Sequence, residues 1–282
     1  MNCVCCNAEV VLYDKRSYFE LPVYICNSCK TYQTGYSEVV TKKRTEAVYE
    51  KMYWDERASE NSLSSNYTDV DSQGKKRRWL SQYKYAQRFF PPRRQLLEIG
   101  SGAGQSLFWF EGNGFQVTGI EPDRRNVELI NAKLKDGKCI VGYAENFESE
   151  EMFDIIWISH VFEHVVEPEN VFKKLRQRLR EDGILFIEVP NCENMQILHE
   201  SIYDNPSTYH FSKNGLLSLA KKTGYEVLCC DYFRSPTLLE GAINRVMRNF
   251  PKINPYRYYP KILCDNKGTD IRLIMRIGKM TA

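Results

Sequence analysis

The chain has 282 residues, 43% of them hydrophobic, and a net charge of only +3. That length and apolar fraction suffice for one substantial core plus a small extra module, and so small a charge announces no large electropositive face for nucleic acid. There is no run of about 18 unbroken apolar residues and no leader pattern, so a soluble, cytoplasmic protein without a membrane span is expected.

The ten cysteines are unevenly spread. Cys3-Val4-Cys5-Cys6 and Cys26-Asn27-Ser28-Cys29 form two C-x-x-C pairs nineteen residues apart, the spacing of a four-thiolate zinc site. Cys3, Cys6, Cys26 and Cys29 are the expected metal ligands and Cys5 the spare, although a register with Cys5 in place of Cys3 or Cys6 stays open. A segment this small buries too little to fold alone, so a structural zinc ion would supply its folding energy. Disulfides are the competing reading, but a cytosolic chain keeps such thiols reduced. Val10-Val11-Leu12 and Val23-Tyr24-Ile25 read as ribbon strands, which makes residues 1–37 a zinc-ribbon-like module. Cys139, Cys192, Cys229, Cys230 and Cys264 sit in or beside apolar segments, as small buried hydrophobes do.

Residues 38–93 read as a helical, tyrosine-rich lead-in interrupted by the polar stretch Ser59 to Gly74, a loop. Lys75-Lys76-Arg77-Arg78 is expected on a solvated helix face, with Trp79, Tyr83 and Tyr85 on the helix that feeds the core.

From residue 94 strand and helix alternate, which predicts a parallel sheet with helices on both faces. Leu96-Leu97-Glu98-Ile99 stops at Gly100-Ser101-Gly102-Ala103-Gly104 and restarts as a helix. Such a turn binds nucleotides, because only glycine lets backbone approach a ligand this closely. A dinucleotide fingerprint wants a third glycine where this chain has Gln105, and has no use for a carboxylate two residues before the first one. Glu98 stands there, and it suits a ligand carrying an amino group and a sulfonium charge.

Further strands are read at Phe115 to Glu121, which Pro122 follows, before Ala144-Glu145, at the start of the segment Phe153 to His164, and at Gly183 to Pro190. Val171, Phe172, Leu175 and Leu179 supply the apolar stripe of an intervening helix whose solvated face is the basic run Lys173 to Arg180. Beyond Tyr209-His210-Phe211-Ser212, a helix through Gly215 to Thr223 takes Ser212 as N-cap and Gly224 as C-cap. Strands follow at Tyr225 to Cys229 and Asp270 to Arg276. Between them Arg234 to Asp265, with Pro236, Pro251, Pro255 and Pro260, is too long for a hairpin and reads as an irregular insertion near the substrate mouth.

In this order, Glu98 with its glycine turn, Glu121, Ala144-Glu145, the segment 153–164 and the strand to Pro190 resemble the motifs of class I S-adenosylmethionine (SAM) methyltransferases. The resemblance implies a Rossmann-like, seven-stranded, mostly parallel sheet whose last strand is antiparallel, with residues 94–282 as the methyltransferase domain. It implies a SAM site made by Glu98, Gly100, Ser101, Gly102 and Gly104, with Glu121 and the adjoining Pro122 at the ribose. One carboxylate suits two neighbouring hydroxyl donors. Ala144 and Glu145 would meet the adenine amino group, though Glu145 also reads as a plain helix-starting cap. Ser159 and His160 would lie along the methionine part. Tyr49, Tyr53 and Trp54, within 49–67, resemble an aromatic lid, and packing explains them equally well.

Methyl transfer from a sulfonium is an in-line displacement, and a hydroxyl acceptor or a weakly acidic carbon also needs a base. Histidine suits that near neutral pH, and the chain has four. His210, after the fifth strand, ranks first and His164 second, while His199 sits in a surface segment. A His210 that only caps its helix or bonds a backbone carbonyl is the competing reading. The His160-Val161-Phe162-Glu163-His164 segment and the Tyr209 to Ser212 loop resemble those of quinone and sugar methyltransferases. A zinc ribbon ahead of such a core also occurs in sugar methyltransferases of polysaccharide and natural-product pathways, which points to a sugar or glycoside hydroxyl, with carbon the less favoured acceptor. Two alternatives stand beside this small-molecule or glycan reading: an RNA-base methyltransferase of the ribosomal guanine type, and a non-catalytic SAM-binding protein whose ribbon docks a partner.

Overall fold

A computed structural model of the chain describes residues 1–35, 43, 73–247, 262–264 and 268–278. Tyr49, Tyr53, Trp54, most of the polar stretch that begins at Ser59, and Pro251, Pro255 and Pro260 lie outside the described residues.

The N-terminal part is a small antiparallel sheet. β1 (Val10–Asp14) pairs with β2 (Val23–Cys26), which pairs with β3 (Tyr32–Thr34). Lead-in helix α1 spans Gln73–Ala86. Strand and helix then alternate through β4 (Gln95–Ile99), α2 (Gln105–Gly112), β5 (Gln116–Glu121), α3 (Arg124–Asn131), β6 (Lys138–Val141) and β7 (Phe153–Ser159). α4 (Pro168–Arg178) leads into β8 (Leu179–Pro190). The helical stripe therefore stops short of Leu179, which pairs with Phe153 as a strand residue. α5 (Met195–Tyr203), β9 (Tyr209–His210), α6 (Lys213–Lys222), β10 (Tyr225–Arg234), α7 (Leu238–Met247), β11 (Ile262–Cys264) and β12 (Asp270–Ile277) complete the chain. The expected caps of α6 are present: Ser212 accepts from the Gly215 N–H, and Gly224 takes φ +81° just past the helix end.

The main sheet runs β11-β10-β12-β8-β7-β4-β5-β6. β8, β7, β4, β5 and β6 are mutually parallel, and β12 runs against both its neighbours. Setting aside the three-residue edge strand β11, this is the seven-stranded, mostly parallel α/β fold. Alternate residues serve opposite faces: Leu97, Ile156 and Leu185 pack with α4 and α6, whereas Leu96, Ile155 and Phe186 pack with α1, α2 and α3.

The N-terminal module is built into this body. β9, from the chain after β8, adds to β3 as a fourth strand, with Tyr32 opposite His210. The hydroxyl of Ser212 donates to the Cys29 carbonyl, and Lys222 Nζ reaches the Val4 carbonyl at 3.1 Å. The module's buried cysteines belong to the same apolar cluster as Leu216, Leu219 and Ala220 of α6. Among the described residues, no helix is long and apolar enough to cross a membrane.

Candidate cofactor and acceptor site

In an open α/β sheet, ligands sit outside the carboxyl ends of the parallel strands. Here that edge carries Glu98, Glu121, Ser159 and Glu188. The turn after β4 is strongly constrained: Gly100 has φ +75°, and a Cβ placed on it would come 2.1 Å from Val161 Cγ2. Gly102, at φ +55°, is different, since its missing Cβ would meet nothing within 4 Å. Bare backbone therefore faces open space beside Glu121, whose Oε2 accepts from the Gly102 N–H at 2.8 Å and whose Oε1 accepts from Asp123 N–H at 3.2 Å. Gly100→Ala should be severely destabilising, by about 2 kcal/mol or more, because both the left-handed backbone and the Val161 contact resist a methyl group. A chemical-denaturation midpoint equal to wild type would refute it.

Glu98 and Glu121 are buried, at 3% and 5% exposure. Glu98 accepts from the Ser106 hydroxyl through Oε1, and its Oε2 is buried without a hydrogen-bond partner. Burial, with help from the Glu121 charge and against the Ser106 bond, pushes Glu98 up to about 8. Burial likewise pushes Glu121 up to about 7, against the backbone donors that favour its charge. Both lie above the ordinary 4.5, so between about 4.5 and 8 these two groups hold more protons in the folded chain than in the unfolded one, whereas the buried His210 works the other way below its ordinary 6.5. The two carboxyls should thus cost the ligand-free protein stability as pH rises from about 6.5 to 8. A cationic ligand at this edge should lessen the loss, which melting curves at pH 6.5 and pH 8 with and without SAM would show. A melting point that climbs with pH without ligand would contradict the assignment of these groups.

An orphaned buried carboxylate oxygen, a bare glycine backbone and a second carboxylate at the end of β5 fit a ligand with an amino group and a diol. Pro122 is half-buried directly after Glu121. Ser101 is buried, and its N–H bonds the Ile120 carbonyl at 3.1 Å. Gly104, at φ +76°, opens α2.

Ala144 and Glu145 open a 3₁₀ turn, Ala144–Asn146. Through one oxygen the Glu145 carboxylate accepts from the Val166 N–H at 2.8 Å, which ties this turn to the loop after β7. Ser159 Oγ accepts from Gln82 Nε2 at 2.8 Å. His160 has φ +54°, an uncommon conformation for a residue with a side chain, and its Nε2 lies 3.0 Å from Glu188 Oε1 and 3.4 Å from Asp270 Oδ1. Its other nitrogen, Nδ1, is 3.6 Å from Glu163 Oε1. Burial alone would pull its pKa down, but the carboxylates of Glu163 and Glu188 outweigh burial and raise it.

His210, ranked first as base, is corrected by the structure. It is 2% exposed within β9, with Nδ1 2.7 Å from Ser201 Oγ and Nε2 3.4 Å from Thr34 Oγ1. Burial, with the nearby His164, pushes its pKa down to about 3. Its ring fastens module to core and presents neither nitrogen to an acceptor. His164, ranked second, has its Nδ1 2.8 Å from the Pro206 carbonyl, so Nδ1 carries the proton in the neutral ring. Glu163 Oε1 is 3.9 Å from its Nε2. His199 is exposed on α5 against Tyr203.

Four residues of this edge went unread in the sequence: Gln82, Glu188, Asp270 and Arg272. Arg272 is fully buried, donates to Glu188 Oε2 and Ser81 Oγ, and lies over the Phe233 ring. Gln82 bridges Ser159 and Glu188.

At the far end of the module, the sulfurs of Cys3, Cys6, Cys26 and Cys29 lie within 4.8 Å of one another. Cys3 and Cys29 are 3.5 Å apart, as are Cys6 and Cys26. A tetrahedral zinc with bonds of about 2.3 Å sets its sulfurs roughly 3.8 Å apart, so this donor set fits such an ion. Cys5 is buried beside them.

A model of the family described as methyltransferase domain matches residues 72–230. The chain belongs to that family. Similar curated proteins include the ubiquinone biosynthesis O-methyltransferase of Rickettsia canadensis, 27% identical over 101 residues, which cover 34% of this chain and 43% of that one. The (S)-coclaurine N-methyltransferase of Papaver somniferum is 28% identical over 103 residues, covering 34% and 29%. The chain thus spans less than half the length of these curated relatives. The CcbJ methyltransferase from Streptomyces caelestis shares the fold with a TM-score of 0.53 at 10% identity, over 71% of this chain and 90% of that one. An S-adenosylmethionine-dependent methyltransferase from Clostridium acetobutylicum does so at 0.54 and 11%, over 79% and 99%.

Proposed function

We propose that this chain is a SAM-dependent methyltransferase that methylates a hydroxyl of a small acceptor, a sugar or glycoside being the class favoured. The observation that carries the SAM half is Glu121 at the end of β5, facing a bare glycine turn beside the orphaned oxygen of Glu98. Glu98 would hold the amino group, Gly100 to Gly104 the methionine backbone, Glu121 and Pro122 the ribose, and Ala144 with the Glu145 turn the adenine edge. Ser159 and His160 would border the methyl end. When bound, SAM supplies the electrophilic methyl group.

For the acceptor half, the edge beyond that turn holds three buried carboxylates, Glu163 in the turn after β7, Glu188 on β8 and Asp270 at the start of β12. His164, its tautomer set by the Pro206 carbonyl, would take the hydroxyl proton through Nε2, and Glu163 would stabilise the imidazolium that results. An ordered His164→Ala variant should bind SAM as wild type does and lose roughly 10²- to 10⁴-fold in turnover. Unchanged turnover would remove His164 from the mechanism.

The names of the curated relatives, one an O- and one an N-methyltransferase, support a small acceptor without choosing a sugar. The RNA reading has less behind it: among the described residues the cation set into this edge is Arg272, which is buried. Salt-dependent RNA binding lost on neutralising Lys75 to Arg78 would restore it. The four N-terminal cysteines are proposed to hold structural zinc, and residues 1–37, 38–93 and 94–282 are proposed as module, lead-in and methyltransferase domain. A panel of glycosides, catechols and amines incubated with SAM tests the assignment, since methylation of amines alone would overturn the hydroxyl reading.

A further inference from the structure

We propose a divalent-cation site formed by His160, Glu188 and Asp270, three residues contributed by the loop after β7, by β8 and by β12. The atoms that converge are His160 Nε2, Glu188 Oε1 and Asp270 Oδ1, with separations of 3.0 Å and 3.4 Å from the imidazole nitrogen. All three lie within 4.8 Å of one another. For metal–ligand bonds of about 2.1 Å, neighbouring octahedral ligands stand roughly 3 Å apart, so the two separations from the imidazole nitrogen are close to those of neighbouring positions in such a shell.

The other atom of each residue is held elsewhere. His160 Nδ1 faces Glu163 Oε1 at 3.6 Å, Glu188 Oε2 accepts from Arg272 Nε, and Asp270 Oδ2 accepts from Thr269 Oγ1 at 2.8 Å. This is how metal ligands are oriented by outer partners: a carboxylate behind the histidine, and donors on the distal oxygens of the carboxylates. Gln82 Nε2 donates to Glu188 Oε1 at 2.7 Å and would hold that oxygen in place from outside the shell.

A separate observation points the same way. Glu163 is 3% exposed, and its Oε2 is buried with no hydrogen-bond partner. Three buried carboxylates thus surround one imidazole, and Arg272, paired with Glu188, balances only part of their charge when the imidazole is neutral. A cation bound by neutral His160 through Nε2 would leave Nδ1–H to donate toward Glu163.

One nitrogen and two carboxylate oxygens suit a hard or borderline octahedral ion such as Mg²⁺ or Mn²⁺. The remaining coordination positions would face the acceptor side of the edge. Two adjacent hydroxyls of a diol or catechol could occupy them, which lowers the pKa of the one to be methylated. That role rests on the hydroxyl reading proposed above, whereas the ion site itself does not.

The test needs no acceptor. Mn²⁺ is titrated into the 282-residue chain, supplied with zinc beforehand, and followed by calorimetry and by Mn²⁺ electron paramagnetic resonance. One Mn²⁺ per chain is expected, with affinity at least about tenfold weaker in Asp270→Asn and in His160→Gln, and weakened about tenfold in Glu163→Gln. In the unsubstituted chain, substoichiometric Mn²⁺ should broaden the ring signals of His160 and spare those of His199, a readout that does not depend on any variant folding. Binding unchanged by Asp270→Asn and His160→Gln, or broadening of His199 and not His160, would overturn the site. Mn²⁺ binding with no methylated acceptor would overturn the hydroxyl reading and leave the site standing.

Discussion

Glu121→Ala is expected to weaken SAM binding by roughly a hundredfold or more while leaving the fold in place. The carboxylate already organises this corner, accepting from the Gly102 and Asp123 N–H groups. Two charge-assisted bonds to a ribose diol are worth about 1.5–3 kcal/mol each, so losing both exceeds what the rest of the turn can absorb. The fold should survive because Glu121 is the last residue of β5, at the sheet's edge and outside the apolar clusters of its core. Because the Gly102 and Asp123 N–H groups lose their acceptor, the ligand-free chain is expected to be modestly destabilised. Calorimetric titration with SAM beside a melting curve separates the effects, and unchanged affinity would refute the ribose assignment.

The second large effect is expected at the cysteines. Cys26→Ser, or removal of the proposed zinc by a strong chelator, should lower the melting temperature of the whole chain by roughly 10 °C or more and not merely loosen its first residues. The reason is continuity: β9 belongs to the module's sheet although it follows β8 in the chain. Cys29 accepts from Ser212 through its carbonyl, and Lys30 accepts from the Cys192 thiol. Loss of the ion should therefore expose amides of residues 207–212 to hydrogen exchange along with those of residues 1–35. Protection of 207–212 that is indifferent to the metal would show the module to be an independent appendage.

What could be read in advance was local chemistry. Glu98, the glycines and Glu121 are legible because turn geometry and strand ends impose residue types within a few positions of one another. The spacing of Cys3, Cys6, Cys26 and Cys29 is legible for the same reason, since each pair closes its own knuckle. His210 was misread because its environment is tertiary: Thr34, which touches its ring, is 176 residues away. Nothing near Tyr209-His210-Phe211 announces that a strand of the N-terminal module will cover it.

Glu188 and Arg272 carried a signal that went unused. Each is a lone charge inside an apolar strand, in Ile184 to Val189 and in Ile271 to Met275. Two strands that neighbour each other in antiparallel pairing, each with one buried charge of opposite sign, predict a cross-strand ion pair. The two residues are indeed register partners. The end of the α4 stripe was misplaced for a simpler reason. Leu179 continues the helical period of Val171, Phe172 and Leu175, and only pairing with Phe153 makes it the first residue of β8.

The most direct test of the central reading is methyl transfer from SAM carrying a ¹³C-labelled methyl group, followed by carbon NMR of the products from the acceptor panel. The label is expected to leave SAM and appear in a methoxy signal, with S-adenosylhomocysteine formed in equal amount and the signal lost in Glu121→Ala. Label that stays on SAM with every acceptor, or appears only as N-methyl or C-methyl carbon, would contradict it.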